Sequence, residues 1–310
     1  GGSIIAKDEN GEPSTAIRNA SVATVNVSAT TEVVGAITKP VAIVDYGSTS
    51  FYSCTTLQAA IDKVVKDNKG TVKLIADIVL TETVVVNGTV VLDLNGKKLS
   101  GVDTTTKNFG LINNNGTLTI NDSVGGGAIV VSATVNSGWN RYSAAISNNP
   151  GGTLVVNGGR IEHLGGTDMA YAIDSLTNGN IGNVSVTING GEIVSTYRAI
   201  RQFLNSATAE NVLTINGGTI SGANKAIFFH DPSAKANVGA LTVGENATVN
   251  GDVYLFVTAG STEWPVSVSI ASGEVISANI PEQYVVVNNN GVYGIQASEA
   301  AVDGIGYATI

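Results

Sequence analysis

The chain has 310 residues, 13% charged and 5% aromatic, with a net charge of -9, one cysteine and 37 glycines. The acidic balance argues against nucleic acid and anionic membrane surfaces as partners, since phosphate binding needs a basic patch. The lone Cys54 cannot form an internal disulfide, no Cys/His cluster has zinc-ligand spacing, and no run of eighteen apolar residues is present. Neither a metal nor a cofactor is implied, so packing must hold the fold.

Residues 1–40 read as a linker with one or two extra strands, the alternation lying at Val22–Ala29. Gly1 and Gly2, without an initiator methionine, suggest a cloning scar ahead of a mature or excised segment. Residues 41–75 read as a hairpin of two short strands around Gly47, followed by one helix. Thr55 or Thr56 is its expected N-cap. Leu57, Ala60, Ile61, Val64 and Val65 form its apolar stripe, and Asn68 and Gly70 its stop. From residue 76 onward short valine-rich runs are broken by Asn-Gly pairs, the pattern of strands and tight turns.

The chain then repeats itself. GTLTIND at 116–122 recurs as GTLVVNGG at 152–159, VSVTINGGEI at 184–193 and NVLTINGGTI at 211–220, with LTVGENATV at 241–249 a looser copy. Ala-Ile pairs end at Ile146, Ile173, Ile200 and Ile227, each 27 residues after the last, and Ile112 is an earlier copy. A constant period in the twenties built from strands predicts a solenoid of seven to nine coils over 76–298, with three strands per coil. Insertions are expected after the Ala-Ile strand. Asn121, Asn157, Asn189 and Asn216 recur at one corner, where stacked amides can hydrogen-bond between coils. Gly158, Gly190 and Gly217 follow three of them and are expected to take φ > 0.

The helix followed by GTVKLIADIVLTETVVVNGTVVLDLNGKKLSG, then INNNGTLTINDSVGGGAI, NGGEI and NGGTISG, resembles the right-handed parallel β-helix regions of bacterial cell-surface proteins, the fold named after pectate and pectin lyases. The resemblance covers about residues 41–295 and implies fold well and activity poorly. PEQYVVVNNNGVYGIQA at 281–297 looks like the last turn of such domains. AVDGIGYATI resembles the 41–57 segment, so 299–310 is expected to be a tail or the start of a following module.

Because coils stack about 4.8 Å apart, residues 27 apart become neighbours on one face. The Ala-Ile strands therefore gather Tyr171, Asp174, Arg198, Arg201, Lys225, Phe228 and His230 into a basic and aromatic strip, which the loop carrying Trp139, Arg141 and Tyr142 can extend. Aromatic platforms ringed by polar groups suit sugars. The plainer readings are an Asp174–Arg201 ion pair on a solvated face, worth little there, and a rim loop whose Trp139 covers an end of the core. Enzymes with the resembled fold usually act on acidic polysaccharides. Their Asn-Thr-Asp, Asp-Asp, Gly-His-Gly, Asp-His and Arg-x-Pro-x-x-Arg strings do not occur in this chain. His230-Asp231, Glu162-His163 and Asp168 are expected in variable loops, and only one rung of the strip offers a carboxylate.

The expectation is a non-catalytic, adhesin-like or polysaccharide-binding module, secreted or on a cell surface. It would be a monomeric piece of a longer protein. A polysaccharide lyase or glycosidase, or a purely structural spacer, are the alternatives.

Overall fold

The computed structural model describes residues 39–47, 51–134, 141–166, 168–179, 181–231, 238–258 and 266–298, with the backbone of four short strands before them. Those four, Gly2–Ile5, Thr15–Arg18, Thr31–Val34 and Ala36–Thr38, form two parallel pairs, more strand than the one or two expected. The Val22–Ala29 alternation lies outside the described residues.

Ala42–Asp45 and Phe51–Cys54 pair antiparallel, with Gly47 at φ 86° between them. Helix α1, Leu57–Asp67, follows; the Thr56 side chain accepts from the Ala59 amide and Asn68 closes the helix at φ 51°. Its stripe buries Leu57, Ala60, Ile61 and Val64, whereas Val65, at the stripe's edge, is exposed. Across from it, the Gln58 amide donates to the Val85 carbonyl at 3.0 Å and accepts from the Val85 amide at 2.8 Å. The helix thus satisfies backbone groups on a sheet edge that would otherwise invite another strand.

Beyond the helix the chain winds through three parallel sheets. Sheet I contains Thr89–Asp93, Thr117–Asn121, Thr153–Val156, Val184–Ile188, Asn211–Ile215, Gly239–Val243 and Val266–Ile270; sheet II runs from Ile78–Leu80 to Ala247–Asn250, and sheet III from Val84–Val86 to Glu274–Ala278. Six full turns, residues 89–257, lie between a shorter first coil, residues 71–86, which also places one strand in each sheet, and an incomplete last one, so the count stands at the lower end of the seven to nine expected. Ile112, Ile146, Ile173, Ile200 and Ile227 stand in one register on sheet III, as the Ala-Ile spacing predicts. Leu99, Ile129, Ile161, Ile193 and Ile220 form the matching column of sheet II. All ten are buried. Strands paired on both edges and apolar on their inner face leave a core one side-chain layer thick per sheet, which is why a single coil cannot be stable alone.

The corner after sheet I carries the asparagine ladder. Each side-chain amide donates to the one below: Asn157 to Asn121 at 2.9 Å, Asn189 to Asn157 at 2.9 Å and Asn216 to Asn189 at 2.8 Å. The positive φ falls on the glycine after the expected one, at Gly159, Gly191 and Gly218, because the turn reverses direction one residue later. The insertions also differ from expectation. Besides those after sheet III, long connections precede it in the early coils, nine residues before Ser143 against two before Arg198. The end differs too: Tyr284–Asn289 and Val292–Ala297 form an antiparallel hairpin that caps Val266–Ile270, rather than a further parallel turn. No helix among the described residues is long and apolar enough to cross a membrane.

Candidate functional site

The outer face of sheet III holds the expected columns. Tyr171, Arg198 and Lys225 are successive partners in one; Ser147, Asp174, Arg201 and Phe228 in the next; Leu176, Phe203 and His230 in a third. Asp174 and Arg201 do form a cross-rung pair, with Nε donating to Oδ1 at 2.7 Å and Nη2 to Oδ2 at 2.6 Å. The face there is not solvated, however. Asp174 is 0% and Arg201 3% exposed, and Tyr171 and Phe228 are buried with Met169 in a small apolar cluster of their own.

The cause is a roof of side chains from the inserted connections. Met169 lies over Tyr171, whose hydroxyl donates to its Sδ at 3.0 Å. The Arg201 guanidinium sits 4.7 Å from the Tyr171 and Phe203 ring centroids and 5.7 Å from that of Tyr142. Burial alone would lower the Arg201 pKa, but the Asp174 carboxylate outweighs it and holds the group above its ordinary value. Burial in the same cluster raises the Tyr171 and Tyr142 phenols.

A second buried pair stands beside the first. Arg141 Nη2 donates to Asp103, a wholly buried carboxylate that also accepts from the Thr105 amide at 3.0 Å and its hydroxyl at 3.1 Å. Arg141 is 9% exposed, and its Nε and Nη1 have no hydrogen-bond partner among the described residues. Behind this pair His163 shares a 2.9 Å hydrogen bond with Ser143. Burial, partly offset by Asp103, lowers His163 to about 4. His230 packs against Phe203 and Phe256 at 5.2 Å and Phe228 at 4.9 Å; burial, then the Arg201 and Arg198 charges, lowers it to about 3.

Between the roof and the strand ends opens a cleft of about 520 Å³. Tyr142, Phe203, His230 and Phe256 supply aromatic wall, Arg141 and Arg201 the polar floor, and Asn108, Asn178 and Thr258 the rim. Of the strip read from sequence, Arg141, Tyr142, Arg201 and His230 line this cleft. Asp174, Tyr171 and Phe228 lie behind it as support. Arg198 stacks over Phe228 at 4.3 Å, outside the cleft, and Lys225 is held by Asp252 at 3.0 Å. Trp139 lies outside the described residues.

Sequence reasoning missed Asp103, Met169 and Phe256. Asp103 ends a sheet II strand 38 residues before Arg141, so no column of the repeat joins them, and this carboxylate reaches the site from outside the strip. His230-Asp231 and Glu162-His163 belong to strands rather than loops, Lys225–Asp231 and Arg160–Gly165, and Glu162 is taken by Arg160 at 2.7 Å. Asp168 accepts from the Tyr197 hydroxyl at 3.3 Å. Among the described residues no group of three His, Cys, Asp or Glu side chains could hold a metal ion.

Searches against protein-family models, curated proteins and solved structures give no match for this chain.

Proposed function

We propose that the chain is a non-catalytic carbohydrate-binding module of an extracellular or cell-surface protein, adhesin-like in use, with the sheet III cleft as its sugar site. One observation carries the reading: a cleft of sugar-ring size joins aromatic walls to buried guanidinium donors. Rings stack on the apolar faces of pyranoses while fixed N–H groups read their oxygens. The carboxylates at the site are already committed. Asp174 gives both oxygens to Arg201, and Asp103 gives its own to Arg141 and Thr105, so neither is left to flank a glycosidic bond.

A glycan array on wild type and a Phe256→Ala variant tests the reading. Wild type is expected to bind one sugar class, and the variant to bind it at least about fivefold more weakly, since an aromatic platform contributes roughly 1 kcal/mol or more. Binding that ignores Phe256 would move the site elsewhere. Absence of binding would favour a spacer.

A further inference from the structure

Resting on that reading, we infer that the cleft selects an uncharged acetamido sugar over a plain hexose or an acidic one. The argument is a count of charges, donors and acceptors. Each guanidinium on the floor already faces its own buried carboxylate, Arg201 with Asp174 and Arg141 with Asp103, so the two pairs sum to zero. The surplus cations of this face are elsewhere: Lys225 is engaged by Asp252, and Arg198 rests on Phe228 with its Nε donating to Asn224 at 3.3 Å. An incoming carboxylate would shed its water and meet two buried carboxylates, while Arg198, the cation of this face without a carboxylate of its own among the described residues, stands outside the cleft against Phe228.

Acceptors are what the floor lacks. Among the described residues Arg141 Nε and Nη1 are buried without a hydrogen-bond partner, and Arg201 Nη1 donates only to Met169 Sδ, at 4.0 Å. At the rim the amide oxygens of Asn108 and Asn178 are already used, by the Tyr142 amide at 3.1 Å and Asn205 Nδ2 at 3.2 Å. The floor is therefore rich in donors and poor in acceptors, the neutral His230 ring lying in the wall and the Thr258 hydroxyl at the rim. A sugar hydroxyl carries its proton and its lone pairs on one atom, so turning it to a donor floor buries the proton too, whereas an acetamido group separates them and can send its carbonyl oxygen to the floor while its N–H stays at the open side. The acetamido methyl finds apolar wall in Leu176, Met169 and Phe256.

Titration calorimetry with oligomers of N-acetylglucosamine and N-acetylgalactosamine, of glucose and galactose, and of galacturonate, at low and high salt, tests this. An acetamido oligomer is expected to bind at least about tenfold tighter than its hexose counterpart, as for one satisfied buried donor, with little salt dependence. Arg141→Lys keeps the charge facing Asp103 but removes Nε and Nη1, and is expected to erase that preference. Saturation-transfer NMR on wild type, which needs no variant to fold, should mark the acetamido methyl most strongly. A tighter, salt-sensitive galacturonate complex, equal hexose binding, an unchanged preference in Arg141→Lys, or saturation confined to ring protons would each overturn the acetamido inference and leave a sugar site standing. Binding of none of the three classes would remove the sugar site and the inference with it.

Discussion

Protonating His163 means placing a charge where neither water nor a free carboxylate can reach it. Its folded value is about 4 against 6.5 for an ordinary imidazole, so the folded state disfavours the proton and the unfolded chain accepts it first. The neutral ring's contribution is complete above pH 6.5, declines as the pH falls toward 4, and is gone below that. A shift of this size corresponds to about 3 kcal/mol. Urea unfolding at a series of pH values should therefore show stability falling through this window, with His163→Gln visibly flattening the slope there. An equal slope in the variant would mean that His163 is hydrated in solution. The same reasoning explains why Asp174 and Arg201 persist together. Either one alone would be an uncompensated buried charge, costing about 3–5 kcal/mol, although the pair itself adds little over apolar residues of the same shape.

At the scale of the element, the Asn-Gly-Gly corner divides its work among three residues. The asparagine ties one coil to the next, the first glycine keeps an ordinary φ, with room for a Cβ at Gly158 but not at Gly190, where the Asn157 carbonyl oxygen would be 2.9 Å away, and the second turns the chain. A Cβ on Gly191 would stand 2.4 Å from the Gly159 carbonyl oxygen at φ 84°, whereas one on Gly158 would have nothing closer than 3.8 Å. Gly191→Ala is expected to cost several kcal/mol, the clash with backbone adding to the roughly 1 kcal/mol or more for an L residue in that region. Gly158→Ala should lie within about 0.5 kcal/mol of wild type. Paired denaturation midpoints decide the matter, and the opposite ranking would return the turn to the first glycine. The asparagine rungs were legible in sequence because they recur at the coil period. The choice between adjacent glycines was not, because both positions repeat identically and only the three-dimensional path of the turn distinguishes them.

For the whole molecule, register is the quantity that sequence specifies best. The 27-residue spacing of Ile146, Ile173, Ile200 and Ile227 placed Tyr171 beside Arg198 and Asp174 beside Arg201 without any further information. It could not foretell that the face would be covered, since Met169, Tyr142 and Arg141 arrive from connections whose lengths obey no period. Nor could it join Arg141 to Asp103 across 38 residues. Periodic contacts are legible from one chain; contacts between a period and an insertion are not.

This separation makes a test of the architecture itself. Removing residues 174–227 deletes two periods, joins Ile173 to Phe228 in the register that Ile227 held, and takes Asp174 and Arg201 away together, so no buried charge of that pair is stranded. Each coil contacts only its neighbours, so the shortened chain should still unfold cooperatively, with a smaller urea m value because less surface is exposed. Removing residues 174–226 instead leaves the total one residue out of phase. The rest of the spliced strand then turns to the wrong face, carrying Phe229 outward and His230 toward the core, while later strands can regain register through connections that obey no period. That chain should unfold at a clearly lower urea midpoint than the in-phase deletion. Equal behaviour of the two deletions would mean that the coils are held by something other than their inward columns.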